Sequence, residues 1–128
     1  KNKINCIKRG EDKMRNSKTR SKTMKCKLEK CKSTFYAYND IQYMFGKVVD
    51  TWSNIIEIKA NVKLDDFILG DSYTTDFVCT KDDGELMVRE CVFISKINKP
   101  MVMKMLDASR EYWLSKGVED WGIIVNAC

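Results

Sequence analysis

Histidine is absent from this sequence, proline occurs once, and no apolar run approaches the roughly twenty residues that a bilayer demands. The first absence weakens the case for zinc. Cys26 and Cys31 form a CxxxxC pair, but no histidine and no second close cysteine pair is present to complete a tetrahedral site. The missing apolar run speaks against a membrane span, and the basic opening residues contain no apolar segment of the signal-peptide kind. Internal repeats and interior linkers are lacking too, so the 128 residues are expected to form one compact domain around a single core. The start at Lys1 rather than Met reads as a processed or excised piece. Cys79 and Cys91, in apolar runs, read as small buried hydrophobes, with reduced thiols and a cytoplasmic location as the default.

What is present is charge, unevenly spread. Residues 1–35 carry thirteen Lys/Arg against Glu11, Asp12 and Glu29, a net of +10, while the remainder carries ten basic and fifteen acidic groups, a net of −5. The overall +5 thus combines a basic arm, placed at residues 1–34, with a mildly acidic body at 35–128. Such an arm suits a polyanion, most simply nucleic acid, through phosphate neutralisation and counterion release. The plainer reading is a solvated, disordered tail that keeps the protein soluble; on either reading the arm is expected to be flexible, with a short helix around Lys25–Lys32.

From Asn39 onward the pattern becomes regular. Asn39 is a helix cap, Gln42 completes a capping-box spacing, and Ile41, Met44, Phe45 and Val48 recur at helical intervals, predicting a helix over 40–50 despite Gly46. Residues 54–62 read as a strand. YTTDFVCT and ELMVRECVFIS read as two antiparallel strands joined at KDDG, where Asp83-Gly84 is a strong hairpin signal. Pro100 opens a second helix running to Lys116, with Met101, Met105, Ala108, Tyr112 and Leu114 assigned to its apolar side. WGIIVN, residues 121–126, is a final buried strand. The resulting order, helix, three strands, helix, strand, is an α/β layer domain.

Two acids stand out within the predicted hairpin. Alternation puts Glu90 and Val92 on one face of their strand and Arg89 and Cys91 on the other. With Asp76 on the same side as Glu90, the two carboxylates would offer hard oxygen ligands to Mg²⁺ or Mn²⁺. A bound ion of that kind polarises a phosphodiester and activates water. The competing reading is a pair of ordinary exposed edge residues.

The stretches TTDFVCTKDDG, VRECV and REYWLSKGVEDWGIIVN resemble the TnsA-type endonuclease subunit of heteromeric cut-and-paste transposases. The similarity runs over about residues 15–126 and is carried chiefly by 73–125. It implies a restriction-endonuclease-like αβββαβ core of the PD-(D/E)xK superfamily and a metal-dependent DNA endonuclease that cuts transposon 5′ ends beside a transposase subunit. By position, Asp76 matches that family's metal-binding aspartate, Glu90 the acid-or-glutamine before its lysine, and Gln42 its helix glutamate. Two departures follow. Val92 stands where the family has the lysine that orients water and stabilises charge on the phosphate, and Gln42 removes a charge from the metal shell. Lys96 or Lys99 could supply an ammonium from a displaced position, or both are surface lysines. The expected site is therefore Asp76 and Glu90 as ligands of Mg²⁺ or Mn²⁺, Gln42 assisting and Lys96 replacing the lost cation. The expected partners are double-stranded DNA and a transposase subunit. Beside this stand a catalytically inactive nuclease-fold module that binds DNA or docks a transposase, and an unrelated α/β module gripping RNA.

Overall fold

The structure is a computed structural model and describes residues 3–7 and 23–126. Its elements are β1 (Lys3–Ile7), β2 (Met24–Cys26), β3 (Phe35–Ala37), α1 (Asp40–Val49), β4 (Ile55–Lys63), β5 (Thr74–Lys81), β6 (Leu86–Val92), a short 3₁₀ turn (Ile94–Lys96), α2 (Pro100–Ser115) and β7 (Asp120–Asn126). Five strands form one mixed sheet in the order β1-β7-β6-β5-β4, and β2 and β3 form a separate hairpin. β4, β5 and β6 are successively antiparallel, whereas β6, β7 and β1 run parallel. α2 makes the crossover between the parallel pair β6 and β7, as a parallel connection requires. Among the described residues, no helix is long and apolar enough to cross a membrane.

Alternation along the strands divides the core in two. Phe77, Cys79, Met87, Cys91 and Ile124 face α1, where they meet Ile41, Phe45 and Val49. Val78, Val88, Ile123 and Val125 face α2, where they meet Leu106 and Trp113. A helix thus covers each face, which is why the central strands β6 and β7 are buried almost along their whole length. The predicted hairpin is present. Lys81 N–H donates to Glu85 O at 2.8 Å, Gly84 N–H donates to Lys81 O at 2.9 Å, and Gly84 takes φ +89°, a conformation a side chain disfavours.

α1 starts as expected, with the Asn39 side chain accepting the Gln42 N–H at 2.9 Å. The reciprocal bond runs to Tyr38 N–H, 2.8 Å from Gln42 Oε1, one residue upstream of the usual partner. Gly46, the weak point of this helix by propensity, is what brings it close to the sheet. A Cβ there would lie 3.2 Å from the Phe77 ring and 3.4 Å from Leu28 Cδ1. Phe77 is in turn boxed by Phe45 and Phe35, at centroid distances of 5.6 and 5.9 Å.

Several expectations change. The described parts of residues 1–34 are not a flexible arm: residues 3–7 form the sheet edge β1 against β7, and Met24–Cys26 pairs with Ala37–Phe35. Cys26 and Leu28 are core residues, so the boundary at residue 35 cuts through a hairpin. The short helix expected around Lys25–Lys32 is replaced by β2 and a turn. The turn is fixed by Asp50, whose carboxylate accepts Glu29 N–H and Lys30 N–H, each at 3.0 Å, and by Ile58 N–H donating to Lys30 O at 2.8 Å. Basic composition hid two apolar side chains, Cys26 and Leu28, that pack into the core. The rest of the expected arm, residues 8–22, lies outside the described residues. The apolar side assigned to α2 is rotated as well. Its buried residues are Leu106, Ser109 and Trp113, while Met101 and Leu114 are exposed. A buried serine in mid-stripe misled the pattern. Finally, Cys6 is disulfide-bonded, against the expectation of reduced thiols, while Cys26, Cys31, Cys79 and Cys91 are free.

Gly46→Leu is expected to destabilise the protein by about 1–3 kcal/mol, since the added volume meets a ring boxed by two others. Urea unfolding checks this, and an unchanged midpoint would show that α1 does not need its close approach.

Candidate active site

The β5–β6 register runs from Thr80↔Leu86 to Phe77↔Arg89. One step further the same register sets Asp76 opposite Glu90. At that point the side chains take over the role of backbone acceptors. Glu90 Oε1 accepts the Asp76 N–H at 3.1 Å, and Asp76 Oδ2 accepts the Cys91 N–H at 2.7 Å. Each carboxylate thus reaches across to the opposite strand and satisfies an amide that would otherwise be orphaned. Glu90 Oε2 also accepts from Ser109 Oγ of α2 at 2.6 Å, which places the pair on the α2 face. Of the two, Glu90 is the more enclosed at 2% exposure, and Asp76 is half-buried.

The two acids border a cavity of about 190 Å³, whose other walls include Tyr73, Val92, Val102 and Leu106. Its surroundings are largely apolar, and this sets the electrostatics. Burial, and then the charge of Glu90, hold the Asp76 carboxyl well above the usual carboxylate range, against the opposing Cys91 N–H. Burial also raises Glu90, opposed by donors from Ser109, the Asp76 main chain, Tyr73 and Thr75. The Tyr73 hydroxyl is pushed up by burial and by both acids, and so is the Cys91 thiol. Two like charges in a poorly solvated site cannot both be borne cheaply. The metal-free pair therefore retains a proton where exposed carboxylates would have lost it.

Gln42 reaches this site from the opposite face of the sheet. Its Nε2 donates to Asn61 Oδ1 at 2.8 Å and to the Asp76 main-chain oxygen at 3.4 Å. Asn61 adopts φ 54° within β4 and donates from Nδ2 to Tyr36 O at 2.9 Å. Gln42 therefore grips the backbone behind the aspartate; it is itself fully buried. Val92 lines the cavity as the sequence pattern requires. Lys96 is exposed on the 3₁₀ turn, with its ammonium 5.6 Å from the Phe93 ring centroid. The structure thus unites Asp76 with Glu90, sets Gln42 behind them, and gives Lys96 an aromatic contact.

A buried cation does lie near the hairpin, but it is already paired. Arg89 Nη2 lies 2.9 Å from Asp120 Oδ1, and Lys81 Nζ lies 2.8 Å from Asp120 Oδ2, at the far end of β6 and β7. The residues that the motif reading missed are Ser109, Tyr73 and Asn61. Ser109 carried a usable signal: a lone polar residue between Leu106 and Trp113 at helical spacing.

As a donor set, two carboxylates on neighbouring strands fit a hard divalent cation that keeps several waters. Glu90 Oε1 and Oε2 are held by the Asp76 N–H and the Ser109 hydroxyl, and Asp76 Oδ1 adds a further acceptor. Among the described residues, no group of three or more His, Cys, Asp or Glu converges to form a fuller cage. In comparison with known proteins, the chain matches no family model and no curated protein sequence.

Because the folded carboxyl pKa is raised, the protonated pair contributes stability below the unfolded carboxylate range, and this is lost as pH rises through the folded value. Asp76→Asn keeps an acceptor for Cys91 N–H and removes the repulsion. Without metal, its melting temperature is expected to exceed that of the parent increasingly from about pH 5 to about pH 8. Thermal melts at both ends check this, and a gap that narrows toward high pH would refute the assigned sign.

Proposed function

We propose that the chain is a DNA-binding protein of transposition with a restriction-endonuclease-like fold, related in design to the TnsA-type endonuclease subunit. Asp76 and Glu90 would hold Mg²⁺ or Mn²⁺. The observation that carries this reading is the meeting of the two acids at the end of the β5–β6 ladder, beside an open cavity. The order α1-β4-β5-β6-α2-β7 supports it, because it is the element order expected of such a core. When bound, the ion supplies positive charge for a phosphodiester oxygen and lowers the pKa of a water. The protein's part is to set the two carboxylates by main-chain amides, to anchor β5 through Gln42, and to shield the site with the α2 side chains. The basic residues of the N-terminal stretch grip the duplex backbone, and a transposase subunit provides the second catalytic activity of the pair.

A second reading has its own observation. Val92 lines the cavity where an ammonium is expected, and Lys96 lies against the Phe93 ring. On that reading the fold binds DNA or docks a transposase without cutting.

Supercoiled plasmid incubated with Mn²⁺ distinguishes the two. Nicking that Asp76→Ala abolishes is the expected result, and a failure to nick, alone or with a transposase partner, would remove the catalytic reading. The basic stretch is tested separately. Changing Lys18, Arg20 and Lys22 to Gln should lower the salt dependence of duplex binding by about 0.9 in slope for each phosphate that is no longer neutralised. An unchanged slope would free these residues of that role.

A further inference from the structure

The geometry points to Ser109 as the residue that positions Glu90 for its cation, an inference resting on the reading of the acidic pair as a metal site. Ser109 sits in the middle of α2, fully buried, between Leu106 and Trp113 in an otherwise apolar stripe. A serine there is a poorer helix former than alanine, because its hydroxyl competes for backbone partners, and a hydroxyl withdrawn from water is costly unless bonded. Here it is bonded on both sides. Trp121 Nε1 of β7 lies 3.1 Å from Ser109 Oγ, and Ser109 Oγ lies 2.6 Å from Glu90 Oε2.

The chemistry of the first member sets the direction of this chain. An indole N–H can only donate, so Ser109 Oγ accepts from Trp121 and directs its single proton to Glu90. Glu90 Oε1 already accepts the Asp76 N–H. Two donors from different elements, the β5 main chain and the α2 side chain, therefore fix the plane of one carboxyl group. The carboxyl group so held borders the cavity that it shares with Asp76. Trp121 is 2% exposed, so the relay is anchored in packed core and not on a mobile surface. Partners of this kind orient metal ligands, and their removal typically costs about 10–100-fold in metal affinity.

The test is a Mn²⁺ titration, followed by the paramagnetic resonance of the free ion, on the full chain and its Ser109→Ala and Ser109→Thr variants. Ser109→Ala is expected to bind about 10–100-fold more weakly, and Ser109→Thr, which keeps the hydroxyl, to stay close to the parent. Equal affinity in Ser109→Ala overturns the inference. So does a folded Ser109→Thr as weak as the alanine variant, because the weakening would then come from packing. A metal-free readout accompanies it: in ¹H–¹⁵N spectra, Glu90→Gln should shift the Trp121 indole N–H and leave that of Trp52, exposed beyond α1, in place. An unmoved Trp121 resonance overturns the relay. Absence of Mn²⁺ binding by the parent would instead sink the metal-site reading, and the indole shift would then decide by itself whether Ser109 ties Trp121 to Glu90.

Discussion

Where β5 and β6 pass Asp76 and Glu90, carboxylates replace carbonyls as acceptors of main-chain amides, and much of the molecule is arranged around that exchange. Two acids set directly opposite each other on antiparallel strands repel, and burial makes the repulsion worse. They are tolerated because each meets an amide of the other strand: Asp76 takes Cys91 N–H, and Glu90 takes Asp76 N–H. Hydrogen bonds to charged acceptors contribute about 1.5–3 kcal/mol each, enough to hold the geometry but not to erase the cost of two neighbouring charges. The residual strain appears as raised carboxyl pKa values. It marks a place where a cation would be welcome.

The surrounding elements each remove a degree of freedom from this pair. α2 brings Ser109 to Glu90, and α1 brings Gln42 to the backbone behind Asp76. Gly46 lets α1 approach Phe77, the next residue along β5. Meanwhile, the one buried arginine of the hairpin is committed to Asp120 together with Lys81. That separation matters: a cation neutralised elsewhere leaves the acids' field uncancelled within a largely apolar cavity, where electrostatic interactions are least screened.

How far the chain could be read from its letters differs by region. The helix at Asp40, the three strands, the Asp83-Gly84 turn and the final strand were legible, because apolar period, cap and turn chemistry agree there. The meeting of Asp76 with Glu90 was legible only as a condition on strand parity, which the β5–β6 register then met. The N-terminal stretch was misread because net charge dominates its composition. Cys26 and Leu28 are few, but they pack into a core built by distant residues, and Asp50 supplies bonds from outside the segment. The face of α2 was misread because Ser109 interrupts its stripe, and only the positions of Glu90 and Trp121 make burial of that hydroxyl worthwhile.

By itself, then, the sequence determined the order of elements from α1 onward, the turn that aligns β5 with β6, and the face of β6 that carries Glu90. These follow from local periodicity and backbone preference, which need no knowledge of distant partners. Tertiary structure alone decided that Gln42 grips main chain, that Arg89 is spent on Asp120, that Lys96 rests on Phe93 and that Ser109 serves Glu90. Most of those pairings join elements far apart in the chain, and a side chain's partner across such a gap is set by the packing of whole layers, which no local pattern encodes.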